Sequence, residues 1–329
     1  MKVFLTGSTG FIGRHVAARL IELGFNTTCL VRKNSAFSGI RNVNVVKADL
    51  QAACDRKRAY DFVRDHDYVI HCAAIRGEQN LPRAEYYRVN VDATRSLLEA
   101  SLKAGVKRFI FLSSVGVMGT RPGQLPANEM TPYAPDSNYH KSKMLAEQQA
   151  LEFSQNGLHT IAIRPSVTYG PYDNGFFLRV GRIVAKGFFP LVGGGNNLIH
   201  LTYIDGLVDA IVKALDSPTE PGSVYIITDA EPISFKSLVE LMAGALKHRV
   251  RYLNIPFPTM VVLGARVYDA LLRPIKPGTL LTISTKILSL PWYYDCSKAV
   301  LELGYHPFNT REQAPRTAEW LQANGLINV

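Results

Sequence analysis

Cysteine is sparse in this chain and carries no pattern. Cys29, Cys54, Cys72 and Cys296 stand far apart, with no C-x-x-C among them. That spacing argues against a zinc ribbon or a disulfide framework, gives no metal site to expect, and suits a reducing, cytoplasmic compartment. Long apolar runs are missing too. No stretch of about 18 apolar residues is free of charge, so no membrane-spanning helix is expected. Residues 1–6 read as a strand entering a glycine turn, not as a signal peptide. Zinc-finger, RNP-like and helix-turn-helix signatures are absent and the basic residues are dispersed, so no nucleic-acid partner is expected. There is no internal repeat and no low-complexity linker. Acid is the scarcer charge, with 27 Asp and Glu against 37 Lys and Arg, a net +10. The surplus favours an anionic ligand or an acidic surface over a cationic one. What is present is a chain of 329 residues, 47% apolar and 19% charged. That is enough for a packed soluble core, and for two domains or one elaborated domain.

Residues 2–6 form a short apolar run, and Gly7-Ser8-Thr9-Gly10-Phe11-Ile12-Gly13 follows at once. A helical pattern comes next, with Ile12, Val16, Leu20 and Leu23 on one face and Gly24 placed to close it. Residues 27–31 read as a second strand. In this order, glycines let the backbone approach a pyrophosphate, and the helix N-terminus offers it free N–H groups. The G-x-x-G-x-x-G spacing therefore points to dinucleotide binding rather than to a tight packing turn. An acid at the end of the second strand would bind ribose hydroxyls and repel a 2′-phosphate. Here the strand runs Cys29-Leu30-Val31-Arg32-Lys33, with no acid. Arg32 can fork onto a phosphate and Lys33 adds charge, so NADP(H) is expected. NAD is the alternative if both are simply solvated cations.

Strands are further expected at residues 43–47, 68–72, 108–112 and 159–163, and a long helix over 83–104, with Asn90 inside and Gly105 at its end. Strands alternating with helices give an α/β fold, a doubly wound parallel (Rossmann) sheet. Ligands bind such sheets beyond the carboxyl ends of the strands. Gly7, Arg32, Asp49, Ala73, Ser114 and Arg164 all fall at such ends. After Gly170 the pattern loosens. Residues 193–197 read as a flexible glycine loop, 201–204 and 224–228 as strands, and 205–215 and 234–246 as helices. Thr310 with Gln313 resembles a capping box for a last helix reaching about Asn324. The expected division is a dinucleotide-binding domain over 1–170, with 199–217 returning to it, and a smaller substrate-binding domain over 171–329. Residues 260–272, apolar at helical spacing, read as core of that domain rather than as a lipid groove.

Tyr139 and Lys143 open a predicted helix and share a face at i, i+4. A phenol has a reference pKa of about 10. An ammonium one turn away favours the phenolate and brings that pKa towards working range. The pair is a candidate for proton transfer. Taken alone, the spacing also fits a surface tyrosine beside a solvated lysine.

These elements occur together with others in one order: Thr6-Gly7-x-x-Gly10-x-x-Gly13, Asp49-Leu50, Ala73-Ala74, Asn90 within Val89-Asn90-Val91-Asp92-Ala93-Thr94, Ser113-Ser114, Tyr139-x-x-x-Lys143 and Arg164-Pro165. With them the chain resembles the extended short-chain dehydrogenases/reductases, the NAD(P)-dependent epimerase/dehydratase group, over nearly the whole first domain. The resemblance implies that Tyr139 is the general acid/base and that Lys143 holds the nicotinamide ribose and depresses the tyrosine pKa. It implies that Ser114 hydrogen-bonds the reacting oxygen. Asn90 would hold a relay helix and water, or serve as a helix-packing amide. Around the cofactor it places Gly7, Thr9, Gly10, Phe11, Ile12, Gly13, Arg32, Lys33, Asp49, Leu50, Ala73, Ala74, Pro165 and Val167, together with Tyr139 and Lys143. Towards a small-molecule substrate it places Arg76, Ser114, His200 and Tyr203. A homodimer through the helices of Asn90 and Tyr139 is a family expectation.

Nucleotide-sugar members of the group carry a pyrophosphate-binding arginine where this chain has Ile199, and their following aspartate pair reads Asp205-Gly206 here. His200, Thr202, Tyr203 and the apolar residues 255–291 look more like the branch of 3β-hydroxysteroid dehydrogenases, dihydroflavonol reductases and hopanoid-associated epimerase-like proteins. The expected function is an NADP(H)-dependent oxidoreductase. The alternative is a sugar epimerase or dehydratase with retained cofactor. A non-catalytic dinucleotide sensor comes third, disfavoured by the intact Ser114, Tyr139 and Lys143.

Overall fold

The computed structural model describes residues 1–33, 42–50, 55–76, 81–272 and 281–328. Its first strands are β1 (Lys2–Thr6), β2 (Asn26–Val31), β3 (Asn44–Lys47), β4 (Tyr68–His71), β5 (Arg108–Leu112) and β6 (Thr160–Pro165). Beyond them come β7 (Val167–Tyr169), β8 (Phe188–Val192), β9 (Leu198–Ile199) and β10 (Leu201–Tyr203). The chain then returns to the first sheet as β11 (Ser223–Ile227), and ends its strands with β12 (Ile233–Ser234) and β13 (Arg251–Ile255). The main sheet is seven-stranded and parallel among the described residues, in the order β11-β6-β5-β4-β1-β2-β3.

The central strands are nearly continuous apolar runs because both faces are covered. Alternation still sorts their side chains. Val3, Leu5, Ile70 and Ile110 enter one core, and Phe4, Val69, Phe109 and Phe111 enter the other. Helices α1 (Phe11–Glu22), α2 (Arg56–Val63), α3 (Arg83–Tyr86), α4 (Ala93–Ala104), α5 (Asn138–Gln155), α6 (Phe176–Val184) and α7 (Ile204–Lys213) follow in chain order. α1 and α7 close the first core, and α2, α4 and α5 close the second. Full burial of each phenylalanine contributes about 1.5–3 kcal/mol. α3 runs into α4 through a π-helical turn over Tyr87–Asp92, so the long helix predicted over 83–104 is one widened helix.

The smaller lobe carries α8 (Phe235–Ala245), α9 (Pro258–Leu272), α10 (Leu281–Ser289) and α12 (Thr310–Ala323); α11 (Ser297–Leu303) packs back against β11. β13 pairs with β8 in parallel, and β12 with β9 antiparallel. No helix among the described residues is long and apolar enough to cross a membrane.

Several local expectations change. The return to the sheet extends past 199–217, because Ser223–Ile227 finds the open edge of β6. The 193–197 glycine segment is a defined turn. Gly193, Gly194 and Gly195 all have φ between +61° and +72°, and the Gly194 N–H donates to Asn254 Oδ1 at 2.9 Å. The last helix is capped by Asn309, whose Oδ1 accepts from Arg311 N–H at 2.9 Å. Thr310 donates its hydroxyl to Asp229 instead, at 2.6 Å. Leu23 is 44% exposed at the end of α1, and the buried face uses Ala17 in its place. On α9, Met260, Leu263 and Val267 face solvent, while Val262 and Ala265 are buried.

Candidate active site

The carboxyl ends of the strands open into a cavity of about 700 Å³. At its floor Gly7 has φ +79°, and a Cβ there would stand 2.7 Å from the Ala73 nitrogen. A Cβ on Gly13 would stand 2.2 Å from Gly7 O. β1, β4 and α1 therefore meet backbone to backbone, an approach that only glycine allows. Gly10 is the N-cap of α1; no side chain caps the helix, and its first turn holds no acid. The first-turn N–H groups stay available to an anion, with the helix dipole behind them. This cradle fits a dinucleotide pyrophosphate. Gly7, Thr9, Gly10, Phe11, Ile12 and Gly13 all line the cavity.

Of the cofactor-selecting residues, Arg32 lines the cavity and Lys33 lies outside the lining, exposed. Leu50 lines it, whereas Asp49 is exposed outside it. Ala73 and Ala74 line it beyond β4, as do Pro165 at the end of β6 and Val167 at the start of β7. Asn90 does not reach the cavity. Its Oδ1 accepts the Ile75 N–H at 2.7 Å, and its Nδ2 donates to Ile75 O at 3.0 Å and to Ser142 Oγ at 2.9 Å. These bonds, made from the π turn, tie the loop after β4 to α5.

Ser137 caps α5 by accepting the His140 N–H at 3.0 Å. Tyr139 stands in the first turn and Lys143 one turn on, and both line the cavity with Ser114. Ser114 follows β5, and its Oγ accepts the Gly116 N–H at 3.1 Å. Neighbouring Ser113 lines the cavity with a buried Oγ that has no partner among the described residues. Lys143 is buried, donates to Leu112 O, and holds its Nζ 4.1 Å from the centre of the Phe111 ring. Burial pushes its pKa down to about 7, with Cys72 and Glu147 opposing.

Arg164 does not line the cavity. It runs beneath α5 to Glu147, with Nη2 to Oε1 at 2.6 Å and Nε to Oε2 at 3.0 Å. Tyr133 donates its hydroxyl to the same carboxylate at 2.7 Å. This buried fork fixes the roll of the helix that presents Tyr139 and Lys143. Glu147 was not singled out from the sequence; the signal was its place at i+8 from Tyr139 and i+4 from Lys143, on the same face.

On the substrate side Arg76 lines the cavity and donates to Asn174 Oδ1 at 3.3 Å. Asp173 caps α6, accepting from Gly175, Phe177 and Leu178 N–H at 2.7, 3.1 and 3.4 Å. Its burial nevertheless raises its pKa. Phe176, Ile287 and Trp292 add an apolar wall. Asp136 precedes α5, accepts from Lys286 Nζ at 2.8 Å and Thr120 Oγ1 at 3.1 Å, and pairs with His140 Nδ1 at 2.8 Å. It ties α10 to the entry of α5. Apart from Arg76, which the resemblance places here, none of these lobe and loop residues has a spacing that marks it in the sequence.

His200 and Tyr203, expected towards the substrate, are not in the lining. His200 Nδ1 accepts the Tyr294 N–H at 3.2 Å and Nε2 donates to Asp229 O at 2.8 Å. Burial pushes its pKa down to about 4, so it stays neutral. Tyr203 packs against Tyr169 and Phe308, with ring centroids at 5.5 and 5.2 Å. Its N–H donates to Asp229 Oδ1 at 2.8 Å. The buried Asp229, whose pKa burial raises to about 6, gathers these groups into a joint between sheet and lobe.

A Rossmann sheet with a glycine cradle and a Ser–Tyr–Lys set facing one cavity defines a dinucleotide-dependent enzyme. The model of the NAD dependent epimerase/dehydratase family matches residues 3–228, and the chain belongs to that family. It is similar to a UDP-glucose 4-epimerase of Vibrio cholerae, 31% identical over 98% of this chain and 96% of that one. It is also similar to a 3 beta-hydroxysteroid dehydrogenase/Delta 5-->4-isomerase of Mycobacterium tuberculosis, 29% identical over 95% of this chain and 88% of the relative. Its fold matches a UDP-glucose 4-epimerase of Thermotoga maritima solved with UDP-glucose, with TM-score 0.78 and 23% identity, covering 98% and 99% of the two chains. The chain is an enzyme of the NAD(P)-dependent oxidoreductase/epimerase/dehydratase type.

Proposed function

We propose that this enzyme is an NADP(H)-dependent reductase or dehydrogenase of an apolar carbonyl or hydroxyl compound, with Tyr139 as its acid/base. The observation that carries the reading is the lining of one cavity by the glycine cradle, Arg32, Ser114, Tyr139 and Lys143. Gly7 to Gly13 would hold the pyrophosphate, Arg32 the 2′-phosphate, and Pro165 and Val167 would flank the nicotinamide. The bound cofactor supplies hydride exchange with a substrate carbon. Ser114 holds the substrate oxygen by a hydrogen bond. Tyr139 gives that oxygen a proton in reduction and takes it back in oxidation. Lys143, one turn on from Tyr139, would favour the phenolate when protonated and hold the ribose. Phe176, Ile287 and Trp292 suit an apolar substrate body, in keeping with the named activity of the mycobacterial relative.

The 31% identity to a named UDP-glucose 4-epimerase favours a second reading, a sugar epimerase with retained cofactor. Against it, Ile199 is fully buried in β9, where a pyrophosphate would need an arginine. The test is net turnover. The purified enzyme with NADPH and a panel of apolar ketones should consume cofactor, and calorimetry should find UDP-sugars weakly held. Tightly retained nucleotide, no net NADPH loss and low-micromolar UDP-sugar binding would overturn the reductase reading in favour of the epimerase.

A further inference from the structure

The strand β13 and helix α9 present an apolar face that the cavity does not use. Phe257 is 70% exposed and Met260 65%, with Leu253, Leu263, Val267 and Tyr268 about half exposed beside them. Met260, Leu263 and Val267 recur at i, i+3 and i+7, so they form one stripe pointing away from the body, opposite the buried Val262 and Ala265. Phe257 leads into this stripe at φ +63°, a conformation that costs a bulky residue energy and projects its ring from a loop tip. Soluble surfaces rarely gather so many large apolar side chains without a use for them.

The charge along residues 241–268 has one sign, and Glu240 of α8, whose carboxylate faces Tyr252 of β13, is paired with Lys236 at 3.8 Å. Lys247, Arg249, Arg251 and Arg266 are exposed, and no Asp or Glu stands between Glu240 and Asp269. A second copy of this chain would bring cations against cations. A neutral apolar partner would leave the cations without counter-charge. We propose that the β13–α9 face docks on an anionic lipid bilayer, with the Phe257–Met260–Leu263–Val267 stripe entering the acyl boundary and the flanking cations on lipid phosphates. Such docking is peripheral and reversible. α9 packs against α10, whose Ile287 lines the cavity, so docking would hold the lobe side of the cavity near the bilayer.

The experiment is vesicle flotation of the full chain. Phosphatidylcholine vesicles are compared with vesicles of phosphatidylcholine and phosphatidylglycerol, at low and high salt. The enzyme should float with the anionic vesicles, and salt should weaken it. The double substitution Met260→Asp with Leu263→Asp should lower binding about tenfold or more, since two apolar anchors are lost. Arg249→Glu with Arg251→Glu should weaken binding and flatten its salt dependence. Neither pair lines the cavity, so NADPH affinity and melting temperature should stay at wild-type values and show that the variants are folded. Wild-type flotation by the Met260→Asp/Leu263→Asp variant would overturn the proposal. So would absence of flotation, whether sizing shows a dimer that the same variant dissolves or an acidic protein is captured instead.

Discussion

In the sheet, Phe4, Phe109 and Phe111 are wholly buried; in the lobe, Phe257, Met260 and Leu263 stand in solvent. Both sets look alike in the sequence. The difference lies in how many neighbours each element has. A strand inside a doubly covered sheet meets packing on both faces, so any apolar residue it carries finds a core. Among the described residues α9 has neighbours on one face only, so an apolar residue at helical spacing can fall on either side. The sheet half thus sets atoms for chemistry by close packing, and the lobe half supplies enclosure and surface.

The sharpest way to break that division is to remove the phenol oxygen of Tyr139. Tyr139→Phe keeps the ring, so cofactor affinity should barely move while kcat falls by about 10²- to 10⁴-fold. Lys143→Met should harm both quantities. Steady-state kinetics with titrated NADPH measures the two effects, and near-wild-type turnover by Tyr139→Phe would place the chemistry elsewhere.

Next in size is the fork beneath α5. Arg164→Met leaves the buried Glu147 carboxylate with the Tyr133 hydroxyl but without its cation, which should cost about 3–5 kcal/mol in denaturant unfolding. Pairing it with Glu147→Leu should restore most of the loss, because two apolar residues remove the stranded charge. A loss below about 1 kcal/mol, the level of a surface pair, would mean that other contacts hold the helix.

Cofactor choice is the third test, confined to the edge of the sheet. Val31→Asp with Arg32→Ala should turn preference towards NADH by about tenfold or more, since a charged hydrogen bond contributes roughly 1.5–3 kcal/mol. Fluorescence titration decides it, and a wild type that binds NADH more tightly than NADPH would remove the phosphate role of Arg32.

Last comes a slope, the smallest effect per pH unit. Lys143 has its pKa lowered by burial to about 7 in the fold, against about 10.4 when unfolded. Between those values the unfolded chain holds a proton that the native one has released. Stability should therefore rise with pH from about 7 towards 10, by up to roughly 1.4 kcal/mol per unit. Unfolding curves across that range should lose this slope in Lys143→Met; an unchanged slope would assign it to other groups.

Much of the sheet half was legible because its signals are local. The glycine spacing, the strand runs and the i, i+4 pair of Tyr139 and Lys143 each depend on one element. What was not legible depends on pairings across the chain. Arg164 sits at a strand end and yet faces Glu147, because the roll of α5 decides where its partner lies. His200 and Tyr203 look like ligand-facing residues and instead gather on Asp229, 29 and 26 positions away. β11 returns to the sheet because an edge was open there, which its own residues do not announce. The outward stripe of α9 follows the same rule: periodicity identifies the helix, and only its neighbours decide which face is covered.

The contact between Gly13 and Gly7 separates two kinds of allele. At Gly181 a new Cβ would strike Ile327 Cδ1 at 2.4 Å and Met242 Cε at 3.1 Å. Both are side-chain tips, and a smaller residue at either position would withdraw them. At Gly13 the struck atoms are the carbonyl oxygen and carbon of Gly7, at 2.2 and 2.6 Å. No change of side chain elsewhere withdraws a main-chain carbonyl. A suppressor screen begun from Gly181→Ala should therefore recover second-site revertants on α8 or near the C-terminus, whereas one begun from Gly13→Ala should return only the original glycine.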